Sequence, residues 1–361
     1  MKLEIVRGDF LNKVELSSLT LDEMMEFIYS IDQKEYRANQ LFAYIHRNKG
    51  NRIEDISVFS SALRDKLQKI SRINEIDIFK RFDSKIDNTK KYLFLLEDSN
   101  IIEGVAMEYK YGITACISTQ VGCRMGCSFC ASTKGGLIRN LSPGEMVGQI
   151  YEMEKDLNNR ISNIVLMGSG EPLDNYDNTL KFLNIIHNTN GHNTSYRNIT
   201  ISTCGLVPKI YELAEKQLPI TLSISLHSPF DKIRMDMMPI GRKYSISDIL
   251  KACRYYYDKT KRRITIEYIL IEGVNDREED LDEIIRILKG INCHINLIPL
   301  NPIEEFKQKK SPDRNIEDFK SKLDRANIPT TIRREMGGDI DASCGQLRRK
   351  YTDNKDFKIF Q

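Results

Sequence analysis

Residues 113 to 334 alternate between short segments rich in β-branched residues and longer segments with apolar residues at helical spacing. The predicted strands are residues 113–119, 163–167, 198–203, 220–226, 263–271, 294–299 and 330–334. The predicted helices are residues 143–157, 176–187, 207–216, 247–258, 278–288 and 316–326. Strands that alternate with helices pair in parallel through right-handed crossovers. The alternation therefore predicts an α/β sheet or barrel.

The first 112 residues have a different pattern. Apolar residues recur at helical spacing after Leu21 and after Arg37, and a third helix is predicted over residues 60–70. Two apolar, strand-like segments then flank a polar turn at Asp98-Ser-Asn, which predicts a β-hairpin. We therefore divide the chain into a helical accessory domain (1–75), a hairpin extension (76–112), the α/β core (113–340) and a C-terminal segment (341–361).

Composition favours a folded protein that handles metal or redox chemistry. Of the 361 residues, 40% are hydrophobic and 29% are charged, so a sizeable core can form. No apolar run reaches the roughly eighteen residues of a membrane span, and the first residues do not resemble a secretory signal. We expect a cytoplasmic protein, in which the eight cysteines serve metal or redox chemistry more often than disulfides.

The charge balance leaves nucleic-acid binding open. The net charge of +3 neither requires nor excludes it, and most short basic runs are solvated surface. The local basic clusters are Lys90-Lys91, Lys261-Arg262-Arg263, Lys307 with Lys309-Lys310, Arg333-Arg334 and Arg348-Arg349-Lys350. The charged tail after Arg349 is expected to be a solvated, frayed end.

Three cysteines lie close together at Cys123, Cys127 and Cys130. Three thiolates from one loop can fill three of the four ligand positions of a cubane iron–sulfur cluster or of a tetrahedral zinc ion. A structural metal site needs a fourth ligand, whereas a site with an open position can bind a substrate or cofactor. The spacing alone does not distinguish an iron–sulfur cluster from zinc, or a structural metal site from one with an open position.

Polar motifs follow several of the predicted strands. The cysteine loop follows the first strand, residues 168–172 follow the second, residues 202–205 close the third and residues 225–227 close the fourth, while Asn301 follows the sixth. In a β/α barrel the chemistry collects at the carboxyl ends of the strands. Five motifs at equivalent positions predict a functional site at one mouth of a barrel.

Several motifs resemble those of a known family. They are Gln120-Val-Gly-Cys-Arg-Met-Gly-Cys-Ser-Phe-Cys-Ala-Ser, Arg139-Asn-Leu, Gly170-Glu-Pro-Leu-Asp-Asn-Tyr, Ser223-Ile-Ser-Leu-His, Ile298-Pro-Leu-Asn-Pro and Arg333-Arg-Glu-Met-Gly-Gly-Asp-Ile-Asp-Ala-Ser-Cys-Gly-Gln-Leu. The cysteine loop resembles that of the radical S-adenosylmethionine (SAM) superfamily, and the whole set resembles the RlmN family of dual-specificity RNA adenine methyltransferases. The resemblance spans nearly the whole chain and implies a partial (β/α) TIM-type barrel.

The resemblance also implies a role for each matched residue. Cys123, Cys127 and Cys130 would ligate one 4Fe–4S cluster. The implied SAM contacts are Gly170, Glu171, Ser202, Ser225, Leu226, His227 and Asn301. Cys344 would be the methyl-carrying cysteine and Cys116 its resolving partner.

Glu103 matches the proton acceptor of the family, although a single carboxylate on a strand is more often solvated. His227 has a plain alternative as a satisfied core histidine. Cys204, Cys253 and Cys293 are interpreted as small apolar packing residues, with Cys204 close to the SAM site.

The chemistry implied by the resemblance uses two SAM molecules per turnover. Carbon 2 of adenine is not nucleophilic, so an ordinary polar methyl transfer fails there. One SAM methylates Cys344, and the second yields a radical that activates the S-methyl group for addition to carbon 2. Glu103 would help to remove the carbon-2 proton, and a disulfide between Cys116 and Cys344 would release the product.

The implied partners are 23S rRNA, tRNA and a flavodoxin or ferredoxin-type electron donor, and the expected state is a monomer. The target base must leave its stack to reach a barrel mouth, and the N-terminal helices and basic clusters would bind the RNA phosphates. Two alternatives remain. One is a Cfr-type enzyme that methylates carbon 8 of the same ribosomal adenine and confers antibiotic resistance, and the other is a zinc-stabilised RNA-binding protein without activity.

Overall fold

The computed structural model describes residues 13–301, 303 and 305–347. Ten of its strands form one open sheet in the order β14-β13-β12-β11-β10-β9-β6-β5-β4-β3, and two small pairs, β1–β2 and β7–β8, lie outside it. The strands are β1 Val14–Glu15, β2 Ser71–Arg72, β3 Asp77–Asp83, β4 Lys90–Leu95, β5 Ile101–Tyr109, β6 Gly112–Cys116, β7 Gln120–Gly122, β8 Leu137–Asn140, β9 Ile161–Leu166, β10 Ile199–Thr203, β11 Thr221–Ser225, β12 Ile264–Leu270, β13 Cys293–Pro299 and β14 Thr330–Ile332.

Helices connect the parallel strands and also build the N-terminal region. They are α1 Leu21–Ser30, α2 Tyr36–His46, α3 Ser61–Ile70, α4 Pro143–Leu157, α5 Tyr176–His187, α6 Val207–Glu215, α7 Asp231–Met237, α8 Ile246–Thr260, α9 Glu278–Leu288 and α10 Asp313–Arg325. None of those in the described part of the chain combines the length and apolar character of a membrane-spanning helix.

The seven strands from β6 to β14 in the main sheet pair in parallel, in chain order. The predicted α/β fold is therefore confirmed, and it takes the form of a partial barrel, since the order of the sheet ends at β3 and β14 without closing. All seven predicted strands and all six predicted helices of this region are present, with small shifts at their ends. Their apolar faces form one large core between the sheet and the helices.

Three short elements of the core were not predicted. Helix α7 has only seven residues, too few for a helical period to stand out. Strands β7 and β8 flank the cysteine loop and pair with an irregular register at Gly122. A hairpin this short has no alternating pattern long enough to distinguish it from a loop.

The antiparallel strands β3, β4 and β5 continue the parallel sheet through β6. The predicted hairpin around Asp98-Ser-Asn is β4–β5, in which Leu93 pairs with Glu103. On the other side of β5, Val105 pairs with Cys116 at the end of β6. The extension thus lies beside the first strand of the barrel and places its inward-facing side chains next to Cys116.

Helices α1 to α3 pack around a separate small core that includes Met24, Leu41 and Leu67. Helix α1 begins with a capping box, in which Thr20 and Glu23 satisfy each other's backbone N–H groups. The helices contact the barrel through α4, where the N–H of Gly144 donates to Ser18 Oγ at 2.8 Å. A Cβ on Gly144 would lie 2.3 Å from a Glu15 carboxylate oxygen, so a side chain there would displace the Glu15 carboxylate.

Candidate functional site

A cavity of about 160 Å³ opens where the predicted motifs meet. The cysteine loop forms one wall, and the carboxyl ends of β9 to β13 form the others. Its lining includes Cys123, Cys127, Cys130, Gly170, Glu171, Ser202, Ser225, His227, Glu267, Arg333 and Cys344. We call it the first cavity. It brings together eight of the predicted site residues in addition to Cys344.

The three loop cysteines are free thiols on one wall of the first cavity. Burial raises the pKa of Cys123 to about 12. Among the described residues, no three His, Cys, Asp or Glu side chains are arranged around a point where one metal ion would bind. The ligands of a cubane cluster each bind a different iron and need not converge on one point. The thiol wall with an open cavity beside it therefore fits a cluster that keeps one free iron.

Hydrogen bonds fix the cysteine loop against the loop after β9. The guanidinium of Arg124 donates to both carboxylate oxygens of Asp174, at 2.6 Å from Nη2 to Oδ1 and 2.9 Å from Nε to Oδ2. Gln120 Nε2 donates to Asp174 at 2.8 Å, and Gln120 Oε1 accepts from the N–H of Glu171 at 2.9 Å. Residues within the two family-like motifs thus join the thiol wall to the Gly-Glu-Pro wall.

The Gly-Glu-Pro segment approaches strand β7 so closely that it needs glycine. Gly170 has φ +109°, and a Cβ there would lie 2.7 Å from Gln120 Cβ. The buried Glu171 carboxylate accepts hydrogen bonds from the N–H of Leu173 at 3.0 Å and of Cys204 at 2.8 Å. Burial raises the pKa of Glu171, and these hydrogen bonds oppose the rise.

His227 lines the first cavity in a left-handed backbone conformation, with φ +58°. Its Nδ1 accepts a hydrogen bond from the N–H of Ile269 at 3.1 Å, so the proton of the neutral ring lies on Nε2. Burial lowers the pKa of His227 to about 3, with Arg234 adding to the effect. Leu226, by contrast, has its side chain in the main core, and only its backbone N–H lies near the site, donating to the Glu267 carbonyl.

Glu267 and Arg333 line the first cavity but were not among the predicted site residues. Glu267 accepts hydrogen bonds from Ser223 Oγ at 2.7 Å and Asn296 Nδ2 at 2.8 Å. Arg333 Nη1 lies 3.9 Å from Glu267 Oε2. The sequence signal that could have indicated Glu267 is the one acidic residue among the mostly apolar residues of strand β12, whereas Arg333 appeared only as part of a basic pair and a motif.

A second cavity adjoins the first and contains both predicted chemical cysteines, Cys116 and Cys344. The residues that line both cavities are Met167, Ile298, Arg333 and Cys344. Burial raises the pKa of Cys116 to about 12, and Cys344 adds to the rise. Burial also raises the pKa of Cys344, while the Arg333 guanidinium opposes it. Cys344 thus faces the thiol wall on one side and Cys116 on the other.

The segment after β14 is anchored at several points around Cys344. Asn301, which lines the second cavity, donates from Nδ2 to the carbonyl of Cys344 at 3.0 Å. The N–H of Ala131, next to the cysteine loop, donates to the Gly345 carbonyl at 2.7 Å. Residues from 348 onwards, including the predicted basic cluster and charged tail, lie outside the described residues, as does Pro302.

Glu103 lies on the same face of β5 as Val105, the strand partner of Cys116. Its side chain is buried rather than solvated, and Lys91 Nζ lies 3.2 Å from its Oε1. It lines a third, small cavity together with Gly122 and Ser169, and it is not among the lining residues of the first two. The basic pair Lys90-Lys91 therefore includes one buried lysine with a specific partner.

The remaining cysteines lie where packing residues are expected. Cys253 and Cys293 are buried in the main core. Cys204 is buried beside Cys127 and also lines the first cavity.

Comparison with known proteins agrees with this geometry. The family model described as "Radical SAM superfamily" matches residues 117–288, and the model described as "Ribosomal RNA large subunit methyltransferase N-terminal domain" matches residues 14–73. The second match covers the helical region that packs against α4.

Similar proteins cover almost the whole chain. One from Clostridioides difficile (strain 630), named "Probable dual-specificity RNA methyltransferase RlmN", is 52% identical over 339 residues, 94% of this chain and 98% of that protein. A protein of the same name from Alkaliphilus oremlandii (strain OhILAs) is 53% identical and covers 95% of this chain and 100% of that protein.

A solved structure shares the fold over the same extent. The crystal structure of a radical SAM methyltransferase from Sphaerobacter thermophilus superposes with a TM-score of 0.89 at 39% identity, covering 93% of this chain and 100% of that one. Since sequence and fold agree over the full length of the relatives, the chain belongs to the RlmN family of radical SAM RNA methyltransferases.

Proposed function

We propose that this protein methylates carbon 2 of an adenine in 23S rRNA and of an adenine in tRNA, using a methyl-cysteine on Cys344. The observation that carries the proposal is the position of Cys344 on the lining of both cavities. A residue that accepts a methyl group at one site and delivers it at another must face both. Among the described residues, Cys344 is the cysteine with this property.

The first cavity would hold the cofactors. Cys123, Cys127 and Cys130 would ligate a 4Fe–4S cluster, and SAM would lie against Gly170, Glu171, Ser202, Ser225 and His227. Asn301 and Leu226 would act indirectly. Asn301 binds the carbonyl of Cys344, and the backbone N–H of Leu226 binds the carbonyl of Glu267. When bound, the cluster and two SAM molecules per turnover would supply the methyl group and the hydrogen-abstracting radical.

The residues of the chain have distinct tasks in this proposal. Arg333 stabilises the thiolate of Cys344, which must form before the sulfur can accept a methyl group. Glu103 accepts the proton that leaves carbon 2 of the adenine; what supports this role is its burial beside Lys91, two residues along β5 from Val105, which lines the second cavity. Cys116 then forms a disulfide with Cys344, which breaks the bond between the Cys344 sulfur and the product.

Binding to RNA would use the N-terminal helices for phosphate contacts and the second cavity for the extruded base. A flavodoxin or ferredoxin-type protein would supply the electron for the cluster. We propose that the enzyme works in the cytoplasm, where these RNAs are found, as a monomer.

The first test concerns the metal. After anaerobic purification we expect a brown protein with about four irons and four sulfides per chain. A colourless protein containing one zinc would contradict the proposal and support the zinc-stabilised alternative. Cys253→Ala is the control variant. It removes a core thiol that lies away from the cysteine loop, so it should keep the iron and sulfide content of the wild type.

The second test concerns the resolving cysteine. Cys116→Ala should accumulate a covalent complex of protein and RNA, seen as a band of higher mass that ribonuclease removes. Cys293→Ala should not, because Cys293 lies in the core. Free methylated RNA produced at the wild-type rate by Cys116→Ala would refute the resolving role.

The third test concerns the position that is methylated. Mass spectrometry of ribosomal RNA and tRNA from a deletion strain should show loss of 2-methyladenosine from both. Loss of 8-methyladenosine instead would favour the Cfr-type alternative. Loss from ribosomal RNA alone would restrict the proposal to that substrate.

A further inference from the structure

The hairpin between β5 and β6 carries two stacked tyrosines. A two-residue turn, Lys110-Tyr111, joins the end of β5 at Tyr109 to the start of β6 at Gly112. The rings of Tyr109 and Tyr111 lie 5.0 Å apart, with an angle of 5° between their planes. Such nearly parallel rings form a flat aromatic surface at the tip of the hairpin.

The turn is held firmly against the barrel. Gly112 has φ +117°, and a Cβ there would lie 2.3 Å from Ser162 Oγ on β9. Tyr109 pairs with Gly112 across the turn, and its hydroxyl lies 3.6 Å from Met107 Sδ. The aromatic surface is therefore fixed in position by the sheet instead of moving with a free loop.

One tyrosine of the stacked pair lines the second cavity and the other is exposed to solvent. Tyr109 lines that cavity together with Cys116 and Cys344. The ring of Tyr111 stacks on the Tyr109 ring and is 70% exposed. A single exposed tyrosine needs no explanation, but here the exposed ring stacks on a ring that lines the cavity containing Cys116 and Cys344.

Cationic residues lie close to the stacked pair. Lys110 is exposed between the two tyrosines, and Arg333 and Arg334 line the same cavity. Burial raises the pKa of Tyr109, and the nearby Arg333 opposes the rise. Aromatic rings interspersed with cations are the surface on which proteins bind unpaired nucleotides, because every base can stack and every nucleotide carries a phosphate.

We propose that Tyr109 and Tyr111 form a stacking surface for an unpaired base of the RNA substrate at the opening of the second cavity. This inference rests on the proposed RNA methyltransferase function. The base that stacks on Tyr111 is a neighbour of the target adenine, and Lys110 contacts the adjoining phosphate. The surface thereby selects RNA with an unpaired region and guides the target adenine towards Cys344.

The alternative is that the two rings only stabilise the hairpin. Because Tyr111 is 70% exposed, its removal uncovers little apolar area and should leave the fold intact. A structural role predicts equal effects on every RNA ligand, whereas a stacking role predicts an effect confined to unpaired bases.

The test measures RNA affinity by fluorescence anisotropy with the reconstituted protein. Two labelled probes are used: an RNA stem-loop with unpaired adenines in the loop, and a fully paired RNA duplex of the same length. Tyr111→Ala should weaken binding of the stem-loop about tenfold, the loss of one base–aromatic stack, and should leave the duplex unchanged. Tyr111→Phe, which keeps the ring, should bind both probes like the wild type.

Lys110→Ala gives a different signature. It should lower the affinity for both probes. It should also reduce the salt dependence of binding by about one counterion, as expected for a lost phosphate contact. Tyr257→Ala is the matched control, since Tyr257 lies on α8 and its hydroxyl accepts a hydrogen bond from Asn292. Stem-loop affinity of Tyr111→Ala within twofold of the wild type, or an equal loss for stem-loop and duplex, would overturn the proposal.

A second measurement separates this inference from the proposed function. SAM-dependent methylation of Cys344, read by mass spectrometry without RNA, should be equal in the wild type and Tyr111→Ala. If the wild type does not methylate Cys344, the proposed function fails, while the comparison of the two probes still decides whether Tyr111 stacks on unpaired bases.

Discussion

Lys91 and Glu103 form a buried ion pair between neighbouring strands, with 3.2 Å between Nζ and Oε1. The same ammonium donates a hydrogen bond to the carbonyl of Asp341 at 3.1 Å. Lys91 therefore joins the proposed proton acceptor on β5 to the segment that carries Cys344. One cation neutralises a buried carboxylate and also helps to hold the segment that carries Cys344.

Replacement of Lys91 by methionine should be costly. Lys91→Met leaves the charge of Glu103 in a buried site without its ammonium, and such losses typically lower the free energy of unfolding by about 3–5 kcal/mol. Lys90→Met is the control, because Lys90 is 27% exposed and lies 3.8 Å from the exposed Asp83, so we expect less than about 1 kcal/mol. Urea unfolding measures both, and equal effects would contradict a specific role for Lys91.

Arg333 should control how readily Cys344 accepts a methyl group. Burial raises the pKa of Cys344 and the Arg333 guanidinium opposes the rise, so Arg333→Met should raise this pKa further. We expect SAM-dependent methylation of Cys344 at pH 7.5 to slow severalfold, because a smaller fraction of the sulfur is then present as the thiolate. The rate should recover as pH increases, because the thiolate then forms without help.

Two further variants test this interpretation of Arg333. Arg333→Lys, which keeps the charge, should retain part of the rate. Arg286→Met removes a surface arginine that pairs with Glu283 on α9 and should have no effect. A slow rate in Arg333→Met that does not change with pH would indicate a role in positioning instead of thiolate formation.

His46 should make the protein less stable in acid. It is fully buried on α2, its Nδ1 lies 3.1 Å from the Tyr151 hydroxyl, and burial lowers its pKa to about 3. Below about pH 6.5 the unfolded state binds a proton that the native state does not, so stability falls as pH drops towards 3. Between pH 7.5 and 5 this group contributes a loss of about 2 kcal/mol.

The variant His46→Gln should remove that part of the acid dependence, measured as the difference in unfolding free energy between the two pH values. Tyr151→Phe removes the hydroxyl partner and keeps the imidazole, so it should lower stability at both pH values and keep the slope. An unchanged slope in His46→Gln would show that other groups cause the acid loss.

Gly170 should be essential for the shape of the proposed SAM site. Gly170→Ala places a methyl group 2.7 Å from Gln120 Cβ, at a φ of +109° that alanine adopts only with strain. We expect a loss of about 1–3 kcal/mol in stability and at least a tenfold weaker affinity for SAM by calorimetry. Gly135→Ala, where a Cβ would have no neighbour within 4 Å, should behave like the wild type.

Local pattern was sufficient to predict the architecture of the core. Helix α4 illustrates why, since Ser142 and Glu145 form a capping box, Pro143 occupies the first turn and apolar residues recur at helical spacing up to Leu157. The first predicted strand extended too far, because β6 ends at Cys116 and the N–H of Thr119 bonds to Ser169 in the loop after β9. A sequence pattern within a few residues cannot show where a loop distant in the chain will form hydrogen bonds with the backbone.

The candidate site also contains residues that the sequence indicated and residues that only the fold brings together. The three cysteines between Cys123 and Cys130 lie in one loop, so their spacing alone indicated a common metal site. Glu267 lies on β12 and Arg333 directly follows β14, and their joint position in the first cavity depends on how β12 and β14 pair on either side of β13. Nothing near either residue in the sequence indicates its partner.

The sequence by itself determined the α/β fold, the thiol loop and the motifs at the strand ends, because periodicity and short spacing act over a few residues. The tertiary structure alone decided that Cys344 faces both cavities, that Glu103 is buried beside Lys91 and that Tyr109 reaches the second cavity. These relationships join segments far apart in the chain. They arise when the C-terminal segment packs against the antiparallel extension, and the packing depends on the whole barrel beneath them.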